Sequence, residues 1–222
     1  MSFFADTNIA LGYTIIHDKW HENAKKLIDE KSDTIFWSNL VEKEYNVKLD
    51  NIFDDIDIFL KSTEKILRNN QKKNFLNYYD FEEHILKRTK RCRLDINKKQ
   101  KILEHFWSKY SLIEVIAQIL YLNFRNYNKN FKKLYYMRDK KLNNILILHN
   151  CGLNNYLKYL DYAEKLYEWG VHKPDCKIVI DAHDCGLIHP NLIFVSTDKR
   201  MIDLILEHNT EFLNIFEFKS CN

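Results

Sequence analysis

The chain has 222 residues, of which 45% are hydrophobic, and a formal net charge of +3 at pH 7. This is enough apolar material for one core, and the length favours one domain. Four glycines and two prolines exclude a loop-rich or low-complexity chain and favour helix. The mild charge excludes a chain that is basic throughout, so any nucleic-acid surface would have to be local.

The first fifty residues alternate between short apolar runs and segments with apolar residues at helical spacing. The runs predict strands that end at Asp6 and at Ser38, and Ser38 fits the N-cap of the helix that follows. In chain order, the predicted elements are a strand over Phe3 to Ala5, helices over Ile9 to Ile16 and Trp20 to Ile28, a strand over Thr34 to Trp37 and a helix from Ser38 to Leu49.

From about Asp50 to Gly170 the pattern is helical almost throughout. The remaining elements are a helix that opens at Pro174 and continues to His183, a strand over Leu192 to Val195, a helix over Met201 to Leu206 and a last strand over Phe212 to Phe218. Consecutive apolar residues in Leu192 to Val195 are typical of a parallel strand that is covered on both faces. We therefore predict one α/β domain with a central parallel sheet, formed by about residues 1–50 and 171–222, and a helical, basic insertion over about residues 51–170.

The five cysteines are scattered and contain no CxxC pair, which favours reduced thiols over a disulfide framework or a structural zinc site. The start, MSFFADTN, lacks the basic and apolar regions of a signal peptide. The longest apolar run, around Leu112 to Leu122, contains Glu114 and Gln118 and is too short for a membrane span. We therefore expect a soluble, cytoplasmic protein with no membrane partner.

Four acidic residues lie after predicted strands or near the starts of predicted helices, where functional residues of α/β proteins are commonly found. Asp6 and Asp198 follow predicted strands, Glu44 lies two turns into the helix after the second strand, and Asp175 follows Pro174 at the start of a helix. Because function gathers at the carboxyl ends of parallel strands, we expect these side chains to converge. Carboxylates are the ligands that Mg²⁺ and Mn²⁺ prefer, and packed acids repel unless a cation lies among them. A single Asp at a strand end is more often a turn or cap residue, so the prediction depends on the order and surroundings of all four acids.

The segments FFADTNIALGY, HDKWHENAKKLI, WSNLVEKEY, KPDCKIVIDAHDCGL and LIFVSTDKRMIDLI resemble the successive blocks of PIN-domain ribonucleases. The resemblance covers about half of the chain and implies a PIN-like three-layer α/β/α fold, in which the predicted insertion is unusually large. Carried over block by block, the family's acidic quartet falls on Asp6, Glu44, Asp175 and Asp198. The third acid is ambiguous, because Asp181 and Asp184 lie on the same predicted helix. The motif favours Asp175, and leaves Asp181 as a ligand of a second ion or an orienting residue.

The resemblance implies an endoribonuclease that depends on Mg²⁺ or Mn²⁺ and hydrolyses phosphodiester bonds with a metal-activated water. RNA, single-stranded or structured, is favoured over DNA. Thr7, Asn8 and Thr197 would orient the carboxylates or contact the scissile phosphate. Members of the family are often homodimers, and one that acts as a toxin would have a cognate inhibitor protein.

Two basic stretches lie in the predicted insertion. Residues 87–101 contain eight basic side chains and one acid, and a second stretch places Tyr127, Phe131 and Tyr135 four residues apart among lysines and arginines. One interpretation is a solvated surface over an aromatic core stripe. The other is a phosphate-binding surface with aromatics that stack on bases. The residues that this second interpretation assigns to nucleic-acid binding are Lys87, Arg88, Lys90, Arg91, Arg93, Lys132 and Lys133.

Other functions fit the sequence less well. A non-catalytic PIN-like module that binds RNA or protein would not need four repelling carboxylates, and a phosphatase with an aspartyl nucleophile would need a second acid in the DTN motif. A DNA nuclease of related fold stays an alternative. His17 and His21 have a metal-capable spacing but no evident third ligand, which favours surface or capping roles. Nucleotide-binding glycine loops and the GxSxG motif do not occur.

Overall fold

The structure is a computed structural model, and it describes residues 1–30, 34–110, 116–152 and 154–221. The chain divides into two compact units, of which one comprises Met1–Val47 with Arg138–Asn222 and the other comprises Lys48–Met137. The second unit is therefore shorter than the insertion predicted over about residues 51–170. Residues 138–170 cluster with the first unit because they include a strand of its sheet.

The first unit is built on a parallel sheet. Within the described residues it has five strands, namely β1 Ser2–Ala5, β2 Thr34–Ser38, β3 Ile147–His149, β4 Leu192–Ser196 and β5 Glu217–Ser220. Every neighbouring pair is parallel, and the strand order is β3-β2-β1-β4-β5. The predicted α/β class and central parallel sheet are thus confirmed, and the arrangement is compatible with three α/β/α layers.

Helices connect the strands and make up most of the second unit. The structure contains α1 Thr7–Thr14, α2 His21–Glu30, α3 Asn39–Asn69, α4 Tyr78–Arg88, α5 Ile96–Tyr110, α6 Ala117–Ile145, α7 Asn155–Lys158, α8 Leu160–Glu168, α9 Asp175–Ile188 and α10 Lys199–Leu206. The predicted helix from Ser38 to Leu49 is the start of the much longer α3. Neither glycine nor proline occurs between Gly12 and Gly152, so the sequence offers no strong stop signal there. No helix in the described part of the chain is long and apolar enough to cross a membrane.

The central strands are buried on both faces. Phe3 and Phe4 of β1 have no exposed surface, and all five residues of β4 are buried. Phe4 stacks on Phe194 of β4 with a centroid separation of 6.1 Å. Because both faces are covered, these strands consist of consecutive apolar residues, as the sequence predicted for Leu192 to Val195.

The strand order reverses at the centre of the sheet. From β1, the chain places β2 and β3 on one side, and then returns to place β4 and β5 on the other side. In open α/β sheets, this reversal leaves a crevice outside the carboxyl ends of the two strands, where ligands bind. Asp6 follows β1 directly and Asp198 follows β4 after one intervening residue, so both lie at this crevice.

At the sheet edges, the sequence analysis missed one strand and placed the start of another too early. The three-residue strand β3 was not predicted, because Ile147 and Leu148 are exposed and their pattern merges with that of α6. The last strand was predicted over Phe212 to Phe218, but β5 begins only at Glu217. The residues before it form turns that bury Leu213 and Ile215 without strand pairing. Of the predicted apolar helix over Leu112 to Leu122, residues 112–115 lie outside the described residues.

The second unit has an aromatic core. The ring of Phe106 packs against Phe124 and Tyr127 at centroid separations of 4.8 and 5.5 Å, and all three residues are buried. Tyr127 and Phe131 of the predicted aromatic stripe are buried, and Tyr135 packs against Phe53 at 4.2 Å. Of the two interpretations left open by the sequence, burial confirms the core stripe for Tyr127 and Phe131, whose rings are not available to stack on bases.

Candidate acidic site at the carboxyl ends of the strands

Asp6 is a buried carboxyl group at the end of β1. It is the N-cap of α1, where its Oδ1 accepts a hydrogen bond from the backbone N of Thr7 at 2.6 Å. Its Oδ2 accepts a hydrogen bond from the hydroxyl of Ser196, the last residue of β4, also at 2.6 Å. Only 5% of Asp6 is exposed. Both oxygens are therefore held by groups at the carboxyl ends of the two central strands.

Asp6 has an unusual pKa for a carboxyl group with two hydrogen bonds. Burial raises this pKa from 3.8 to about 6, although the hydrogen bonds from Ser196 and Thr7 lower it. The negative charges of Asp175 and Glu44 raise the pKa further. These two acids, far apart in the sequence, therefore lie close enough to Asp6 to interact with it electrostatically.

Thr7 connects Asp6 to Glu44. Its backbone N donates to Asp6, and its hydroxyl donates to Oε2 of the half-buried Glu44 at 2.7 Å. The position of Glu44 on α3 is fixed by the next residue, Tyr45, which is fully buried and whose hydroxyl donates to Asp139 at 2.8 Å. Ser38 caps this helix, as predicted, by accepting a hydrogen bond from the backbone N of Val41 at 3.3 Å.

Asp198 and Asp175 occupy helix starts at the rim of this group. Asp198 is exposed and caps α10 by accepting from the backbone N of Met201 at 3.0 Å. Its own backbone N donates to the hydroxyl of Ser196, which in turn donates to Asp6. Asp175 is the half-buried first residue of α9. We term Asp6, Glu44, Asp175 and Asp198 the acidic site.

Asp181 lies apart from the contacts that connect the acidic site. It is six residues beyond Asp175 on α9, which turns it by about 240° around the helix. It is buried, and its Oδ1 accepts from the side-chain amide of Asn155 at 3.3 Å. Burial raises the pKa of Asp181, while a hydrogen bond with Ser38 lowers it. Asp181 lines a cavity of about 180 Å3, together with Asn39, Lys43 and other residues.

A larger cavity adjoins the start of α9. It has a volume of about 590 Å3, and its lining includes Tyr156, Tyr167 and His172 together with two lysines that flank Asp175. One of them, Lys177, has its Nζ 3.9 Å from the ring centroid of Tyr156. The lining also includes Glu164 and Glu168. The cavity therefore combines aromatic surface with charged side chains of both signs next to one acid of the site.

A different set of side chains, which we term the mixed cluster, can hold a metal ion. Within the described residues, one ligand atom each of His149, Cys151 and Asp184 lies within 4.8 Å of the other two. The acidic site does not form a group of three this tight in the same part of the chain. No zinc-type spacing marks the mixed cluster in the sequence, because Asp184 lies 33 residues after Cys151 and only the fold brings it close.

The other predicted residues have clear structural positions. Thr197 is buried and Asn8 is half-buried, both next to the acidic site in sequence. The ring nitrogens of His21 contact the carbonyl O of Gly12 and the guanidinium of Arg138, both at 2.8 Å. Because these contacts use both nitrogens, His21 has a structural role. His17 and His21 are both buried, so the alternative of a surface position was wrong for both.

The predicted basic residues lie at the surface of the second unit. Lys132 is half-buried and forms an ion pair with Asp57. The others have exposed side chains, namely Lys87, Arg88, Lys90, Arg91, Arg93 and Lys133. Lys87 pairs with Glu83 at 2.7 Å, an exposed ion pair that contributes little to stability and leaves the lysine able to bind phosphate.

Comparisons of the chain with protein families, with characterised proteins and with solved structures find no match.

Proposed function

We propose that the chain is a PIN-like nuclease that uses Mg²⁺ or Mn²⁺ to hydrolyse phosphodiester bonds, with RNA as the favoured substrate. The supporting observation is the buried carboxyl of Asp6 at the strand-order reversal, with Glu44 and Asp175 close enough to raise its pKa. Gathered carboxylates repel one another, and a divalent cation among them removes this repulsion. Without a bound cation, the repulsion between these charges would stay uncompensated.

The donor set of the acidic site fits Mg²⁺ or Mn²⁺, since it offers carboxylate oxygens without nitrogen or sulfur. When bound, such a cation supplies an activated water and stabilises charge on the leaving oxygen. The chain's own contribution is to hold the ligands in place. Thr7 contacts both Asp6 and Glu44, and Ser196 connects Asp6 to the backbone of Asp198. These contacts orient the carboxylates before a substrate binds.

The cavity beside Asp175 supports a nucleic-acid substrate. Aromatic rings that stack on bases and lysines that contact phosphates are the usual components of single-strand binding sites. Tyr156 and Tyr167 supply the rings, and Lys173 and Lys177 supply ammonium groups for phosphate contacts, beside Glu164 and Glu168. A small phosphomonoester would not need an aromatic cavity of about 590 Å3. We therefore place the substrate strand along this cavity, with its scissile phosphate at the acidic site.

The test is cleavage of labelled single-stranded RNA and DNA by the wild type and by two pairs of variants. Asp6→Asn is compared with Asp203→Asn, an exposed acid of α10, and Glu44→Gln is compared with Glu42→Gln on the same helix. We expect cleavage with Mg²⁺ or Mn²⁺ and none with EDTA. Asp6→Asn and Glu44→Gln should lose more than the roughly 100-fold that removal of an outer hydrogen-bond partner costs at a metal site.

The two control variants should retain the wild-type rate. A folded Asp6→Asn protein that still cleaves would refute the assignment. If only DNA is cleaved in the presence of metal, the substrate is DNA and not RNA. Binding without cleavage in every metal would favour a non-catalytic module that binds RNA.

A further inference from the structure

The mixed cluster of His149, Cys151 and Asp184 lies at the carboxyl end of the edge strand β3 and on α9, and it shares no residue with the acidic site. His149 is the last residue of β3, where it pairs in register with Ser38 at the end of β2. Asp184 is on α9, nine residues after Asp175, which places it about 13 Å further along the helix and on its opposite side. The three residues therefore form a separate cluster.

We propose that His149, Cys151 and Asp184 bind a transition-metal ion, and that Zn²⁺ is the expected ion. An imidazole nitrogen, a thiolate and a carboxylate are the three ligand types that Zn²⁺ accepts. Mg²⁺ and Ca²⁺ prefer oxygen ligands, so a set with nitrogen and sulfur disfavours them. The site goes beyond the proposed nuclease chemistry, because it shares no residue with the acidic site.

The separations of the ligand atoms suit a tetrahedral ion. Nε2 of His149 lies 3.2 Å from Oδ2 of Asp184. With Zn–N and Zn–O bonds of roughly 2.1 Å, two tetrahedral ligands stand about 3.4 Å apart. The pair thus already has almost the required spacing. The sulfur of Cys151 lies within 4.8 Å of both atoms and would have to approach to about 3.6 Å when an ion binds.

The surrounding residues orient the ligands. The hydroxyl of Tyr159 donates to Oδ1 of Asp184 at 2.6 Å, and the Nζ of Lys158 lies 3.3 Å from the same oxygen. These contacts leave Oδ2 turned towards His149. Asn39 donates to the backbone O of Cys151 at 3.2 Å and so holds the segment after β3. Metal-binding carboxylates and histidines are typically fixed by such outer contacts.

Burial and ligand number indicate what the ion would do. Cys151 is 4% exposed, while His149 and Asp184 are half-buried, so an ion can enter from one side. Binding would release the thiol proton of Cys151 to solvent. Three protein ligands leave the fourth position of a tetrahedral ion open to water. The ion would also connect the segment after β3 to α9, and would therefore stabilise the folded state by linkage.

The experiment is a Co²⁺ titration of the full-length protein after removal of metal by a chelator. Co²⁺ occupies zinc sites and gives a thiolate-to-metal absorption band that an all-oxygen site cannot produce. We expect one equivalent of this band in the wild type, its displacement by Zn²⁺, and its loss in Cys151→Ser. Cys176→Ser is the matched control, since Cys176 is also buried and lies outside the cluster. It should keep the band.

Tyr159→Phe provides a test that keeps all three ligands. It removes the hydroxyl that holds Asp184, and we expect Co²⁺ affinity to fall by roughly 10- to 100-fold. Far-ultraviolet circular dichroism of each variant shows whether it is folded. If Cys151→Ser does not fold, Tyr159→Phe decides. The proposal is overturned if the folded wild type gives no thiolate band, if the band survives in Cys151→Ser, or if Tyr159→Phe binds Co²⁺ as tightly as the wild type.

Discussion

Replacement of Asp6 by asparagine should stabilise the metal-free protein at neutral and alkaline pH. The carboxyl of Asp6 is 5% exposed, and its pKa is raised by burial and by the charges of Asp175 and Glu44. Ionisation of Asp6 is therefore unfavourable in the folded state. An asparagine side chain has nearly the same shape without the charge, so the Asp6→Asn variant removes the repulsion and leaves the packing in place.

The size of the effect follows from the pKa. A rise from the ordinary 3.8 to about 6 corresponds, at roughly 1.4 kcal/mol per pH unit, to about 3 kcal/mol of unfolding free energy. Because the folded-state pKa is the higher one, the contribution of Asp6 to stability is complete below about pH 4. It is lost as the pH rises through about 6. The gain from Asp6→Asn should therefore be absent at pH 4 and should approach about 3 kcal/mol at pH 8.

The hydrogen bonds of Asp6 reduce this gain only partly. The side-chain oxygen of asparagine can still accept from the backbone N of Thr7. Its amide can donate to the hydroxyl of Ser196, which now accepts instead of donating. Since Ser196 already accepts from the backbone N of Asp198, its oxygen would then use both acceptor positions. We expect a net gain of about 1–3 kcal/mol at pH 8 after this rearrangement.

Urea denaturation at several pH values between 4 and 8, followed by tryptophan fluorescence, measures the difference. Trp20, Trp37 and Trp169 lie in the unit that contains the sheet and report on its unfolding. The exposed Asp203→Asn variant is the control, and its effect should stay within about 0.5 kcal/mol at every pH. A loss of stability in Asp6→Asn that is the same at pH 4 and pH 8 would contradict an ionisation cost at Asp6. Mn²⁺ at pH 8 should stabilise the wild type and not Asp6→Asn.

Two further predictions concern packing and the basic surface. Gly186 lies on α9 where a Cβ would stand 1.6 Å from the backbone O of Asn214. Gly186→Ala should therefore lower the free energy of unfolding by about 1–3 kcal/mol, measured by thermal unfolding. Gly152→Ala is the control and should change it little, because a Cβ there would enter open space. Substitution by alanine of four exposed basic residues should weaken RNA binding and reduce the slope of log affinity against log salt by up to about 3. Unchanged binding would show that this surface does not contact the RNA. The four residues are Lys87, Arg88, Lys90 and Arg91.

The central sheet could be predicted because its strands are buried on both faces. Consecutive apolar residues in β1 and β4 distinguish them from the amphipathic helices around them. No such run marks β3, because its first two residues are exposed and its three residues have no pattern of their own. Edge strands of this kind are defined by their hydrogen bonds to a neighbour, here with Phe36 to Ser38 of β2, and such pairing leaves no local signal in the sequence.

The residues of the candidate sites also divide into those that local sequence patterns locate and those that only the fold brings together. Asp6 and Asp198 could be found because strand ends can be located from local patterns, and parallel strands place their ends at one edge. The mixed cluster could not be found, because its ligands come from the end of an unpredicted strand and from the middle of α9. The sequence also left the aromatic stripe around Tyr127 open, since amphipathic spacing does not show whether a ring faces a core or a ligand.

The two clusters affect how metal dependence must be interpreted. Both lie at the carboxyl edge of one sheet, but the acidic site offers only oxygen, whereas His149 and Cys151 offer nitrogen and sulfur. Hard Mg²⁺ should therefore select the acidic site, and Zn²⁺ should select the mixed cluster. A chelator such as EDTA removes both ions, so loss of cleavage in EDTA does not by itself identify the catalytic ion. Restoration by Mg²⁺ or Mn²⁺ without Zn²⁺ would assign the chemistry to the acidic site, and a requirement for Zn²⁺ would transfer it to the mixed cluster.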